Sequence, residues 1–143
     1  MKIAMIGTGY VGLVSGVCFS DFGHEVICVD KDLSKIALLN AGEVPIYEPG
    51  LKQLLSKNVA DGRLQFTSDL NAAVDGAGAV FIAVGTPTRR GDGHADLSYV
   101  MAAAGDIANV LTGYAVVVTK STVPVGTNRK LAEVIRKTKS DLD

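Results

Sequence analysis

The chain has 143 residues and a net charge of −1, with hydrophobic residues at 48% and charged residues at 20% of the total. This length suits one domain with a buried core, and the near-neutral charge gives no electrostatic basis for binding nucleic acid or an anionic membrane. No apolar run approaches the roughly 20 residues that span a bilayer, and the N-terminus lacks a secretion signal. We therefore expect a cytoplasmic protein with no membrane or nucleic-acid partner.

The beginning of the chain follows the layout of a dinucleotide-binding fingerprint. The apolar run 3–6 predicts a buried strand, and a turn of the pattern Gly-x-Gly-x-x-Gly follows it at 7–12. A helix is predicted at 13–22 and a second strand at 26–29, which leads into Asp30. This order of elements, with an acid about 20 residues after the turn, indicates a Rossmann nucleotide site rather than a structural turn.

Each glycine of this turn has its own physical role. Gly7 permits the tight turn out of the strand, Gly9 lets a pyrophosphate approach the backbone, and Gly12 lets the helix pack close to the strand. The N-terminus of the helix then presents free amide groups and the positive end of its dipole to the phosphates.

Asp30 indicates which cofactor the turn would bind. Its carboxylate can accept hydrogen bonds from a ribose diol and would repel a 2′-phosphate, which favours NAD over NADP. Lys31 and Lys35 lie close in sequence and weaken that preference slightly. Lys35 falls on the first turn of the next predicted helix, near the expected adenosine end of the cofactor.

Strands and helices alternate along the rest of the chain. Pro49 and Pro124 suit the first turns of the helices that follow them, and Val125 is expected on the apolar face of the last helix. The predicted strands are 3–6, 26–29, 64–66, 80–83 and 116–118. The predicted helices are 13–22, 33–41, 51–59, 69–74, one capped by Asp96 or Ser98 and ending near 111, and one from 124 to about 137.

This alternation predicts an α/β fold, a Rossmann-type doubly wound and mainly parallel sheet with helices on both faces. The usual strand order of that fold is 3-2-1-4-5-6. Because only five strands are predicted, we expect residues 1–143 to form one NAD-binding Rossmann domain that stops before its sixth strand. We interpret the chain as part of a longer protein.

Two hydroxyl-rich turns follow neighbouring strands. The buried run 79–84 ends in Gly85 and Thr86, and the strand at 116–118 leads to Ser121 and Thr122. Ligands of doubly wound sheets bind beyond the carboxyl ends of the strands. We therefore expect both turns to contact the cofactor, through close backbone approach at the glycine and through the hydroxyl groups.

The two cysteines, Cys18 and Cys28, fall within the first helix and the second strand, and we interpret both as small core residues. Their spacing fits neither a disulfide framework nor a metal site. The glycine-rich segment 89–95 is typical of a solvated loop, and His94 is interpreted as a surface residue rather than a base. The charged residues of this loop are Arg89, Arg90, Asp92 and His94.

Taken together, these motifs resemble the UDP-glucose 6-dehydrogenases of the UDP-glucose/GDP-mannose dehydrogenase family. The likeness extends over essentially the whole chain, and several motifs in the right order are more specific than the glycine fingerprint alone. The matching stretches are 1–16, 30–36, 45–51, 85–87, 93–100 and 120–127.

The resemblance implies two successive NAD-dependent oxidations of a nucleotide-sugar C6 alcohol to a carboxylate. It implies that the turn glycines and the amides of Tyr10 and Val11 hold the pyrophosphate. By the same resemblance, Asp30 binds the adenosine ribose and Lys35 contacts the cofactor. The resemblance further places Thr86 and Thr122 in the cofactor site, and implies that Thr122 helps to position a catalytic water.

In this family the thiol nucleophile lies far downstream, and neither Cys18 nor Cys28 stands in its motif. We therefore expect the chain to bind NAD but to be inactive alone, with UDP-glucose held mainly by the missing half of a full-length homodimer or higher oligomer. Two alternatives stay open. One is the same domain of a GDP-mannose or UDP-N-acetylhexosamine dehydrogenase, and the other is a non-catalytic NAD-sensing module.

Overall fold

The computed structural model describes residues 1–89, 91 and 93–140; Arg90 and Asp92 of the charged loop lie outside the described residues. Strands and helices alternate as predicted. The strands are β1 (Lys2–Ile6), β2 (Glu25–Val29), β3 (Leu64–Thr67), β4 (Ala79–Ile82) and β5 (Val116–Thr119). The helices are α1 (Tyr10–Asp21), α2 (Leu33–Asn40), α3 (Leu51–Ala60), α4 (Leu70–Val74), α5 (Ser98–Val110) and α6 (Thr127–Thr138).

The five strands form one parallel sheet in the order β3-β2-β1-β4-β5. This confirms the predicted order over those five strands. At the centre, Met5 of β1 stands opposite Cys28 of β2 and Phe81 of β4. Because all pairs are parallel, the carboxyl ends of the strands meet at one edge, and the chain order reverses between β1 and β4 at that edge.

Alternate side chains of the central strands fill two separate cores. In β1, Ala4 and Ile6 pack into the core that α4, α5 and α6 cover, whereas Met5 packs into the core that α1, α2 and α3 cover. In β2, Ile27 and Cys28 divide between the two cores in the same way. Burial on both faces explains why these strands read as continuous apolar runs in the sequence.

Helix α1 packs close to the sheet because its facing positions are glycines. A Cβ atom added to Gly12 would overlap the carbonyl oxygen of Gly7 and stand 3.2 Å from the Cβ of Ala83. A Cβ atom added to Gly16 would lie 2.6 Å from the Sγ atom of Cys28. The predicted start of this helix at residue 13 was therefore late, since Gly12 lies inside the helix as a packing position.

Neither Pro49 nor Pro124 lies in the first turn of the helix that follows it, contrary to the prediction from the sequence. Helix α3 begins at Leu51 after Gly50, and α6 begins at Thr127 after Gly126, so each proline lies before the helix. Both glycines adopt left-handed backbone conformations, with φ of 82° and 89°, which α-helical hydrogen bonding cannot continue through. Val125 consequently precedes α6 and is fully exposed rather than part of an apolar face.

No helix within the described ranges is long and apolar enough to cross a membrane. The longest of them, α5, has 13 residues, well short of the roughly 20 that a bilayer requires.

We predict that Gly12→Ala destabilises the fold, because the new methyl group would collide with a backbone carbonyl that cannot rotate away. Overpacking of this kind costs about 2–3 kcal/mol, which corresponds to a fall of roughly 5–10 °C in the Tm of a domain of this size. Thermal unfolding followed by circular dichroism measures the effect. Gly105→Ala in α5 is the matched control, since a Cβ atom there meets nothing within 4 Å. Equal melting temperatures for Gly12→Ala and wild type would contradict the packing argument.

Candidate nucleotide-binding site

A cleft of about 600 Å³ opens at the carboxyl edge of the sheet, where the chain order reverses between β1 and β4. Open α/β sheets bind their ligands at such a reversal point. The cleft is bordered by the turn after β1, the ends of β2 and β4, the start of α4 and one face of α5. Five residues predicted from the sequence line it, namely Gly7, Gly9, Asp30, Lys35 and Gly85.

The turn after β1 presents bare backbone to the cleft. Gly9 is exposed and is the N-cap residue of α1, with extended backbone at φ −69° and no capping side chain. A Cβ atom added to it would meet nothing within 4 Å, so its missing side chain serves no internal packing purpose. The first amide groups of a helix have no acceptor within the helix. They and the dipole of α1 therefore favour an anion in the open space at Gly9.

The Asp30 carboxylate is held by four hydrogen bonds from its own surroundings. Its Oδ2 atom accepts from the Thr8 hydroxyl at 2.6 Å, the Thr8 amide at 3.0 Å and the Lys35 ammonium at 3.1 Å. Its Oδ1 atom accepts from the Asp32 amide at 3.0 Å. Thr8 is buried at the turn between Gly7 and Gly9, so its two bonds join the glycine turn to the end of β2.

These bonds keep Asp30 ionised. Burial alone raises the pKa of the carboxyl group, but the hydrogen bonds from Thr8, Asp32 and Lys35 together outweigh it and lower the pKa from 3.8 to about 2. Asp30 is therefore an anionic hydrogen-bond acceptor at neutral pH. Such a group accepts hydrogen bonds from neutral ribose hydroxyls and repels a phosphate in their place.

A second ion pair spans the cleft. Lys31 follows Asp30, and its Nζ atom lies 2.8 Å from the Oδ2 atom of Asp106 on α5, 75 residues away in sequence. Both residues line the cleft. Asp106 could not be predicted as the partner of Lys31, because nothing local in the sequence marks a helical aspartate as the partner of a distant lysine.

The far wall of the cleft comes from α4 and α5 and was missed from the sequence. Leu70, Tyr99, Ala102 and Ala103 form a mainly apolar surface there. Small residues at 102 and 103 leave room along α5, which is the kind of lining that accommodates a flat ring. A run of small residues within a predicted helix was the available signal, but helix–sheet packing explains such a run equally well.

Six predicted site residues are not among those that line the cleft. Gly12 is buried beneath the turn, Tyr10 and Val11 are exposed at the start of α1, and Thr122 is exposed beyond β5. The Tyr10 phenol donates to the Glu48 carboxylate, and this bond raises the pKa of Tyr10. The six are Tyr10, Val11, Gly12, Thr86, Ser121 and Thr122. Their predicted contacts with a cofactor stay predictions.

Ser121 has an internal partner. Its hydroxyl donates to the Val84 carbonyl oxygen at 2.7 Å, and its amide donates to the Ile82 carbonyl oxygen at 3.0 Å. Ser121 thus ties the turn after β5 to the end of β4. Thr86, half-buried two residues after Val84, lies on the segment that this tie holds.

The cysteines occupy structural positions. Cys28 is fully buried against Gly16, and burial raises the pKa of its thiol to about 12. This confirms the predicted core role of Cys28, while Cys18 is a half-buried free thiol on α1. Within the part of the chain that the structure describes, no group of three or more His, Cys, Asp or Glu side chains could hold a metal ion.

Comparison with known proteins agrees with this geometry. Residues 1–143 match the sequence model of the UDP-glucose/GDP-mannose dehydrogenase family, NAD binding domain. The chain belongs to this family. Its NAD-binding domain is the part that the chain represents, and NAD is the cofactor of that domain.

Similarity to individual proteins is high over a limited share of their length. The chain is 65% identical to the UDP-glucose 6-dehydrogenase of Rhizobium meliloti over 100% of this chain and 33% of that protein. A ternary-complex structure of GDP-mannose dehydrogenase from Pseudomonas aeruginosa superposes with a TM-score of 0.93 at 38% identity, covering 100% of this chain and 35% of that one. A UDP-glucose dehydrogenase from Pyrobaculum islandicum gives 0.93 at 39% identity, covering 99% and 34%. The chain thus spans about a third of these relatives.

We predict that Thr8→Val raises the pKa of Asp30 and lowers the free energy of unfolding at pH 7 by about 1–2 kcal/mol, because a hydrogen bond to a charged acceptor is lost. A carboxyl group whose pKa is lowered by folding stabilises the protein above its ordinary pKa of 3.8, and this stabilisation is lost as the pH falls toward about 2. The difference between Thr8→Val and wild type should therefore shrink as the pH falls from about 4 toward about 2 in urea unfolding. Thr8→Ser, which keeps the hydroxyl group, should resemble wild type. A pH-independent difference would contradict this account.

Proposed function

We propose that this chain is the NAD-binding part of a UDP-glucose 6-dehydrogenase. In this proposal the whole protein oxidises the C6 alcohol of UDP-glucose to a carboxylate in two NAD-dependent steps. The observation that carries the cofactor half of the proposal is the anionic Asp30, held by Thr8 and Lys35 at the rim of an open cleft beside the bare backbone at Gly9. The 65% identity to a UDP-glucose 6-dehydrogenase supports the choice of substrate.

The residues around the cleft fit the parts of NAD in turn. The amides of Tyr10 and Val11 at the start of α1, with Gly9 and Gly12 in the turn, would hold the pyrophosphate. Asp30 would accept hydrogen bonds from the adenosine ribose, assisted by Lys35. The apolar wall of α4 and α5 would receive the adenine ring, in the space that the small side chains of α5 leave.

The turns after β4 and β5 would serve the reacting end. Gly85 and Thr86 would border the nicotinamide, with Ser121 holding their backbone and Thr122 contacting the cofactor and positioning a water. When bound, NAD supplies the acceptor for the hydride that leaves the substrate carbon. The contribution of this chain is to bind and orient that acceptor at the edge of the sheet.

The second oxidation requires a thiol nucleophile that this chain does not supply. Cys28 is buried, with a thiol pKa of about 12, so at neutral pH it is neither ionised nor accessible. We propose that the nucleophile and most of the sugar-nucleotide contacts belong to the part of the relatives that this chain does not span.

Gly9→Ala should weaken NADH binding at least tenfold without changing the melting temperature. The new methyl group meets no protein atom within 4 Å, and φ of −69° suits alanine, but it would occupy the space through which the pyrophosphate approaches. A fluorescence titration of this chain with NADH measures the change. Gly113→Ala is the matched control, because it also meets nothing within 4 Å but lies away from the cleft. Unaltered affinity in Gly9→Ala, or no NADH binding by wild type, would refute the proposed cofactor site.

This chain alone, mixed with NAD and UDP-glucose, should form no NADH, and Cys28→Ser should bind NADH as wild type does. The full-length protein should reduce NAD with UDP-glucose in preference to GDP-mannose, which also tests the closest alternative substrate. Absorbance of NADH follows its formation by the chain and by the full-length protein, and the fluorescence titration measures NADH binding by Cys28→Ser. Turnover by the 143-residue chain would contradict the proposal that the nucleophile lies outside it. A full-length protein that binds NADH but oxidises neither these two sugar nucleotides nor a UDP-N-acetylhexosamine would favour a sensor.

A further inference from the structure

Two lysines stand beside Asp30, and each is paired with a carboxylate. Lys35 lies 3.1 Å from Asp30, and Lys31 lies 2.8 Å from Asp106 across the cleft. All four side chains line the cleft. Sequence proximity alone would place Lys31 next to Asp30 and would not predict that Asp106, on α5, is its partner.

The four charges bear directly on the choice between NAD and NADP. If Asp30 holds the adenosine ribose, as the proposed function requires, a 2′-phosphate would arrive among these four groups. A phosphate monoester carries −1.5 to −2 charges at neutral pH, and proteins that accept it supply a cation near the ribose acid. Here each cation is neutralised, so the four side chains sum to zero and the phosphate gains no net attraction.

We propose that Asp106 is a specificity-determining residue, which discriminates against NADP by occupying Lys31. Asp30 would repel a 2′-phosphate directly. Asp106 would act from α5 by pairing with Lys31, the lysine of the cleft lining that Asp30 does not bind. The inference rests on the proposed function, because it assumes the ribose at Asp30. Asp32, the remaining charged group of this segment, has its carboxylate turned to the Ser34 and Lys35 amides of α2.

The Lys31–Asp106 pair can be altered without disturbing the fold. The Lys31 side chain is 88% exposed and that of Asp106 is 41% exposed, and exposed ion pairs contribute little to stability. Asp106→Asn keeps the shape of the side chain and removes its charge. The substitution frees Lys31 and also removes a carboxylate that would face the phosphate.

The test compares NADH and NADPH binding to this chain, with each dinucleotide titrated separately by isothermal titration calorimetry. Asp106→Asn should bind NADPH roughly five- to tenfold more tightly than wild type, as expected when a dianionic phosphate gains one cation a few ångströms away. Its NADH affinity should stay within about twofold of wild type. The gain should diminish in high salt, since exposed charges are screened.

Two further variants locate the effect. Asp106→Glu keeps the carboxylate and should discriminate as wild type does. The double variant Lys31→Met with Asp106→Asn should keep only the smaller part of the gain in NADPH affinity, the part due to removal of the carboxylate, because the cation that receives the phosphate is gone. A gain as large without Lys31 as with it would overturn the mechanism.

The outcomes distinguish a failure of the inference about Asp106 from a failure of the proposed function. If wild type binds no NADH, the proposed function fails. If wild type binds NADH but Asp106→Asn shows no tighter NADPH binding, or no detectable NADPH binding, the inference about Asp106 is wrong and the proposed cofactor site stands.

Discussion

The hydrogen bonds between Thr8 and Asp30 connect the two segments on which the site depends. One segment is the glycine turn after β1, and the other is the carboxyl end of β2. The buried Thr8 donates both its hydroxyl and its amide to one carboxylate oxygen, and the Gly7 amide donates to the Val29 carbonyl oxygen at 2.7 Å beside it. The position of the anionic acceptor relative to the bare turn is therefore determined by the fold before any ligand arrives, which is the preorganisation that binding sites require.

Close packing of α1 against the sheet also positions the site before any ligand arrives. Gly12 and Gly16 remove the side chains that would separate the helix from Gly7 and Cys28. The N-terminus of α1 consequently lies directly behind the turn, where its amide groups and dipole reach the mouth of the cleft. The burial of Cys28 follows from this arrangement, since its thiol fills the space that Gly16 leaves. The residue is therefore a packing element of the fold.

Local patterns in the sequence predicted the parts of the structure that depend on neighbours in the chain. Apolar runs marked the five strands, the glycine spacing marked the turn, and alternation of element types predicted the observed strand order. The exact helix starts were less predictable, because left-handed glycines at 50 and 126 decided them rather than the prolines nearby. The partner of Lys31 could not be predicted, because Lys31 and Asp106 are 75 positions apart and no local periodicity records such a contact. The far wall of the cleft was missed because helix–sheet packing explains the small residues of α5 equally well.

The two ends of the cleft are organised by different interactions, and this difference matters for function. At the Asp30 end, charged side chains face the cleft, so a substitution there changes which ligand charge is tolerated. At the β4 end, the described residues that line the cleft are uncharged, namely Ala83, Val84, Gly85 and Pro87, and the Ser121 hydroxyl donates to the Val84 carbonyl oxygen. A cofactor oriented as proposed would have its identity determined at the first end. Its reactive end would lie at the second end, against backbone that the Ser121 hydrogen bond holds.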